Sequence, residues 1–440
     1  MPIETTPRRN RLLDLVSDRV GVIKSLASVT RGAEEPNPPV IYQANLSHFD
    51  FRKPETGERI ASGKGRDANE AIAGAIGEAV ERYCAAHVDS ARTRVASWAA
   101  VAEEAVAPPE FVLYSARQYE RPGFRYHRWD PKDEVTWLVA HELAEDRPVH
   151  VPSSLVFLAG SPARAEDAFC PSTSNGLAAG QDLESASLNG LCELIERDGF
   201  LIHWMNRLPA PEVELPADYG LAHSICSHYL RFGVQVRVFN VSTEFPAYVI
   251  MAVALDTTGR GPAALVGLGC HLDPRVAVLK SLLEICQIRP GETQRYLKEP
   301  PAGRLKRYED VQTLSDHSAF LSIPERLGEF DFLLKNGRRQ RLEELPDRSQ
   351  GSAQADLDFC VRSLAQGGHR VLQAELTTPD IAGYGLHVVR MLATGLQPIH
   401  FGFGEERLGG QRLFTVSQRL GQAPGPRGEA DLNPCPHPLA

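Results

Sequence analysis

The chain has 440 residues, 42% of them hydrophobic and 23% charged, with a formal net charge of −9, a profile of a folded globular protein with room for one large domain or two to three ordinary ones. The acidic balance speaks against nucleic acid as a partner, because non-specific binding rests on a basic face. The longest apolar run, residues 248–255, is far shorter than the about 20 residues of a membrane helix, the N-terminus has no continuous apolar signal core, and the eight cysteines show no CxxC pair or zinc spacing, so the expected location is the cytoplasm.

In chain order, residues 11–27 form an amphipathic stretch, residues 45–50 read as extended and residues 53–58 as a turn. Gly63, Lys64 and Gly65 are expected to open a helix over residues 68–88. That helix is apolar on nearly every side and should be buried, which makes Glu78, Glu81 and Arg82 informative. Strand-like runs at 136–141 and 150–156 precede Ser174-Asn175-Gly176-Leu177-Ala178-Ala179-Gly180 and a second helix over 183–206. There Glu193, Glu196 and Arg197 repeat the first set at one constant offset. The repeat implies internal pseudo-symmetry, with two α+β halves facing each other. A third helix over 274–289 follows a strand at 248–255 and a glycine-rich segment at 266–271, and ends in Glu284, Gln287 and Arg289. Residues 296–353 are markedly polar and read as an excursion or lid. A helix at 356–365, strands at 371–376 and 387–393 and a proline-rich coil complete the chain.

Residues three and four apart share a helix face, so each Glu-x-x-Glu-Arg set presents two carboxylates with an arginine beneath the first. A solvated i,i+4 pair contributes only a few tenths of a kcal/mol. On apolar helices, however, uncompensated carboxylates would cost several kcal/mol each. Magnesium resolves that cost, since it takes one or two carboxylates and fills its remaining positions with water and phosphate oxygens. Glu78, Glu81, Glu193 and Glu196 are the candidate ligands. Lys64, Arg82, Arg197 and Arg289 would balance a triphosphate, arginine by bidentate contact, and Gln287 would add an orienting amide. Ser62-Gly63-Lys64-Gly65 is not a P-loop, because the spacing from Gly57 is wrong and no Ser or Thr follows the lysine. Its helix N-terminus would still favour an anion.

Taken together, the Gly-Lys-Gly entry to an EAxER helix, the SNGLAxG segment before ELIERD, and the E-x-x-Q-x-R helix resemble the YcaO family over roughly residues 45–440. The resemblance implies an α+β fold of mixed and antiparallel sheets flanked by helices, with Mg-ATP held between helices. It also implies activation of peptide amides by phosphorylation, and it places Asn175, Glu284 and Gly74 beside the nucleotide. Relatives often carry serine where Gly74 stands, so one contact would be lost or supplied elsewhere, and Thr394 stands where proline is usual. The terminal Pro434-x-Pro436-x-Pro438 is similar to the mark of azoline-forming cyclodehydratases, in which the C-terminus reaches the active site. There the Ala440 carboxylate or His437 would accept a proton.

The expected division is an N-terminal extension at 1–44, a catalytic domain at 45–424 and a tail at 425–440. A Cys, Ser or Thr side chain of a ribosomal precursor peptide would attack the preceding carbonyl and yield an azoline. Only 61 residues precede Ser62, so an E1-like or ThiF-like leader-binding partner is expected, and dimers are common among relatives. Thioamide or amidine formation, and a non-catalytic scaffold, are the alternatives.

Overall fold

The computed structural model describes residues 11–47, 59–158 and 164–439. Strands β1 (Ile23–Ser28), β2 (Val40–Leu46) and β3 (Ile60–Gly65) pair in that order as an antiparallel sheet. Helix α1 (Ala68–Ala86) follows at once, started by the Asp67 carboxylate, which accepts from the amides of Asn69 at 2.8 Å and Glu70 at 3.0 Å. These observations correct two expectations. Lys64 lies in a strand rather than at a helix entry, and the helix start already holds a carboxylate on its free amides, which leaves no place there for a second anion. The boundary at residue 45 falls inside β2, so residues 11–44 belong to the fold. Residues 48–50 of the expected extended run and the whole 53–58 turn lie outside the described residues.

Strands β4 (Thr93–Ser97), β5 (Glu134–Glu142), β6 (Arg147–Pro152) and β7 (Leu177–Gly180) lead into α2 (Leu183–Asn206). Next come β8 (Glu212–Glu214), α3 (Gly220–Arg231), β9 (Val234–Asn240), β10 (Tyr248–Asp256), β11 (Ala264–His271) and α4 (Pro274–Lys298). The chain then forms α5 (Leu314–Leu321), β12 (Arg339–Arg341), α6 (Ala353–Gln366), β13 (Val371–Glu375), β14 (His387–Ala393) and α7 (Arg412–Arg419). One sheet runs β4-β5-β13-β14-β7 with β6 beside β5, and another runs β11-β10-β9-β8-β12. The apolar run in β10 is buried on both faces, because Val249, Met251 and Val253 meet the α2 core while Ile250, Ala252 and Ala254 meet α3 and α4. A strand covered on both sides reads as continuous rather than alternating hydrophobicity.

The pseudo-symmetry has three units rather than two. In each, the edge strand of a sheet (β3, β7 or β11) runs into a helix capped by an aspartate, Asp67, Asp182 or Asp273. Each helix then carries a glutamate at the same distance from its cap: Glu78, Glu193 and Glu284. Close strand-to-helix packing recurs as well. A Cβ at Gly63 would lie 2.0 Å from the Ala71 carbonyl, and one at the equivalent Gly269 would lie 2.2 Å from that of Ala277. The third unit is hidden in the sequence because Gln287 and Ile288 replace the second glutamate and the arginine.

Residues 296–353 are not a loose lid. Helix α4 runs through Pro290 to Lys298, nine residues past the expected end, and Phe320, Leu321, Phe330 and Leu333 are buried in the same core as α2. Among the described residues, no helix is long and apolar enough to cross a membrane.

Candidate nucleotide and metal site

Three edge strands leave outward-pointing amides unpaired by their sheets, and glutamates from the helices accept from them. Glu78 accepts from Ser62 N of β3 at 2.8 Å, Glu81 from Ala179 N of β7 at 2.7 Å, and Glu284 from Leu268 N of β11. The units are thereby linked in a ring. Helix α1 reaches β7 through Glu81, and α4 reaches β3 through Gln287, whose amide donates to the Ser62 hydroxyl at 2.9 Å. On α2, Glu196 feels Glu284 and the Lys280 ammonium, closing the ring toward β11.

The arginines lie beneath the carboxylates as the helical spacing predicts. Arg82 pairs with Glu78 at 2.7 Å; Arg197 pairs with Glu193 at 3.6 Å and more closely with Glu196. Lys64 feels Glu284, Glu196 and Glu78, one carboxylate from each helix, although burial pushes its ammonium below the usual lysine range. Burial, with Glu78 and Glu193 nearby, holds Glu81 well above the ordinary carboxylate range. Glu193 is raised by burial. Burial likewise lifts Glu196 to about 7, with Arg197 offsetting only part of that rise. Glu81, Glu196 and Glu284 each have one oxygen fixed and the other without a hydrogen bond to the described residues.

Those open oxygens fit a hard cation. Among the described residues, no three metal-binding side chains converge on one point. Magnesium needs only one or two protein carboxylates, with phosphate oxygens and water completing its shell.

Other expected residues stand elsewhere. Arg289 is turned from the cluster and ion-paired with Glu35 and with Asp256 at 3.4 Å, over the Tyr229 ring; five residues at 3.6 per turn place it about 140° around α4 from Glu284. Gly74 sits against β3, where an added Cβ would lie 3.2 Å from the Gly63 Cα. Asn175 is buried just before β7, with its side-chain amide nitrogen unpartnered.

Two cations of the site carried no motif. Lys280 occupies the α4 position equivalent to Gly74, one turn before Glu284, and donates to the Cys270 carbonyl at 3.3 Å. Arg390, on β14, is fully buried; its charge acts on Glu193 and Glu81, while burial lowers it to about 10. A lysine four residues before a glutamate was the one available signal for the first. An isolated arginine in an apolar strand was the signal for the second.

The tail is folded inward. Pro436, His437, Pro438 and Leu439 are buried, whereas Pro434 is exposed. The indole of Trp204, in the last turn of α2, donates to the Cys435 carbonyl at 3.0 Å. His437 stacks on His317 with ring centroids 3.9 Å apart and meets the ring of Phe200, one turn of α2 beyond Glu196, at 6.0 Å, which brings the tail to the α2 side of the cluster. Its Nε2 donates to the His400 carbonyl at 2.9 Å and its Nδ1 accepts from Leu439 N at 3.3 Å. As placed, the imidazole has no free nitrogen for a substrate proton. Ala440 lies outside the described residues.

An α+β chain with three strand-to-helix units converging on paired carboxylates and basic groups has the donors of a metal- and phosphate-binding site built without a P-loop. Residues 62–397 match the family model described as YcaO cyclodehydratase, ATP- and Mg2+-binding, and the chain belongs to the YcaO family. A Methanothermobacter thermautotrophicus protein described as uncharacterized is 31% identical over 356 residues, 80% of this chain and 84% of its own. A solved heterocyclase in complex with substrate and cofactor is 28% identical with a TM-score of 0.82; the match covers 99% of this chain and 57% of that longer one. A YcaO protein from Methanopyrus kandleri, bound with AMPPCP and Mg2+, shares the fold at 22% identity and a TM-score of 0.64, with 89% of each chain covered. ATP and Mg2+ are thus this family's cofactors, and the chain spans little more than half the length of that solved heterocyclase.

Proposed function

We propose that the protein converts Cys, Ser or Thr residues of a ribosomal precursor peptide to thiazolines or oxazolines. The observation that carries this reading is the inward-folded C-terminal PxPxP segment, buried from Cys435 to Leu439 and seated on α2 through Trp204 and Phe200. Bound with magnesium, ATP would supply the phosphoryl group that activates the amide oxygen. Glu78, Glu81, Glu193, Glu196 and Glu284 would hold the cations, and Lys64, Lys280, Arg82 and Arg197 would neutralise phosphate charge. Gln287 would orient the nucleotide. Such a site works chiefly by positioning and electrostatic stabilisation, as phosphoryl transfer requires. Helix α2 joins the metal side to the tail, so the attacking side chain and the phosphoryl group would meet beside Glu196 and Arg197. The tail's terminal carboxylate, on Ala440, is the proton acceptor we favour over His437.

The precursor would be delivered in the cytoplasm by an E1-like or ThiF-like leader-binding protein, with a homodimer as a further assembly. The test is to incubate the protein, that partner and a cognate precursor with ATP and Mg2+ and weigh the peptide. Loss of one water per modified residue, with ADP and phosphate released, is expected. Exchange of oxygen for sulfur would assign thioamide formation instead, and an unchanged mass with a cognate peptide would leave a scaffold. Removal of residues 434–440 should abolish cyclisation while ATP binding persists; undiminished cyclisation contradicts the role given to the tail.

A further inference from the structure

Arg390 also lines a half-open pocket beside the cluster. It is a cavity of about 70 Å³ walled by Ser154, Asn175, Leu194, Gln397 and Arg407 among others, with no carboxylate among its described lining residues. Two guanidinium groups line it. Arg390 turns its nitrogens onto the carbonyls of Val156 at 2.9 Å, Asn175 at 2.5 Å and Thr173 at 2.8 Å, and makes no ion pair among the described residues. Arg407 is 4% exposed, likewise without an ion pair among the described residues, and its Nε–H has no partner. The Asn175 amide nitrogen and the Ser154 hydroxyl are also unpartnered. A buried donor left without an acceptor costs about 1–3 kcal/mol, so three on one small cavity mark a place built for a group rich in acceptors. The space admits several water-sized bodies, enough for a four- or five-atom anion.

We propose that this cavity binds a tetrahedral oxyanion of phosphate size, held by Arg407 Nε, Asn175 Nδ2 and Ser154 Oγ in the field of Arg390. Leu194 of the wall adjoins Glu193, and Arg390 acts on Glu193 and Glu81, so the cavity borders the cluster where phosphate would be released. That the occupant is the reaction's product rests on the function proposed above; the capacity to bind the anion does not.

Calorimetric titration of inorganic phosphate tests the site, with the full chain saturated by Mg2+ and a non-hydrolysable ATP analogue so that the catalytic cleft is filled. One saturable phosphate site is expected in the wild type. It should weaken at least tenfold in Arg407→Met and in Ser154→Leu, which fills the cavity without removing a charge, while affinity for the analogue stays within twofold. Phosphate binding that the analogue abolishes, that survives unchanged in both variants, or that acetate reproduces at equal affinity would overturn the assignment. If the analogue itself fails to bind, the nucleotide reading fails, and the phosphate titration of the variants still decides the cavity.

Discussion

Buried Arg412 and half-buried Arg197 each present a guanidinium group to two carboxylates, yet their surroundings differ. Arg412 holds Asp198 at 2.7 Å and Glu244 at 2.6 Å. Burial would raise Glu244, but the hydrogen bonds and charge of Arg412 more than offset it and hold that carboxyl below its ordinary range. Beside Arg197, burial prevails and Glu196 stands at about 7. The first set is closed, with each charge satisfied by protein. The second keeps open oxygens and raised carboxylates, the signature of a site completed by something other than protein. Arg289 with Glu35 and Asp256 belongs with the closed sets.

The largest effect should come from breaking a closed set. Arg412→Leu leaves Asp198 buried without its partner and should cost about 3–5 kcal/mol in denaturant unfolding. Glu196→Gln should reverse that pattern. Turnover is expected to fall at least 100-fold, about 2.7 kcal/mol at 1.36 per decade, with metal-free stability unchanged or higher; a variant that retained turnover but unfolded early would place Glu196 among the structural pairs. Gly63→Ala forces α1 off β3 and should destabilise by about 1–3 kcal/mol, read as a lowered melting temperature, with nucleotide affinity reduced because Lys64 moves with the strand.

A smaller, signed effect lies in pH. Because the folded Glu196 carboxyl is raised, the native state binds more protons than the unfolded chain between the ordinary glutamate range and about 7. Stability of the metal-free protein should therefore decline as pH rises from 5 to 7, and added Mg2+ should flatten the decline by favouring the ionised form. A stability that rises over this interval without metal would contradict the open character of the cluster.

Much of the site was legible because helical spacing is strict: Glu78, Glu81 and Arg82, and their counterparts on α2, fall where the pattern puts them. Arg289 misled because its motif spacing ignores the helical angle. Lys280 obeys that angle but stood in no motif. The third unit escaped because Gln287 preserves shape while losing charge. Asp67 was the readable sign that residues 63–65 precede the helix rather than begin it, since an aspartate followed by two free amides is a helix cap. The edge strands could not be read at all: which amides a sheet leaves open depends on pairings between segments far apart in sequence, such as β7 with β14.

The most direct measurement is the affinity of the full chain for a non-hydrolysable ATP analogue, by calorimetry with and without Mg2+, in wild type, Glu81→Gln and Glu196→Gln. Binding that requires Mg2+ and weakens at least tenfold in each variant is the predicted result. Equal affinity in all three proteins, or binding indifferent to Mg2+, would contradict the assignment of the nucleotide and metal to the three-helix cluster.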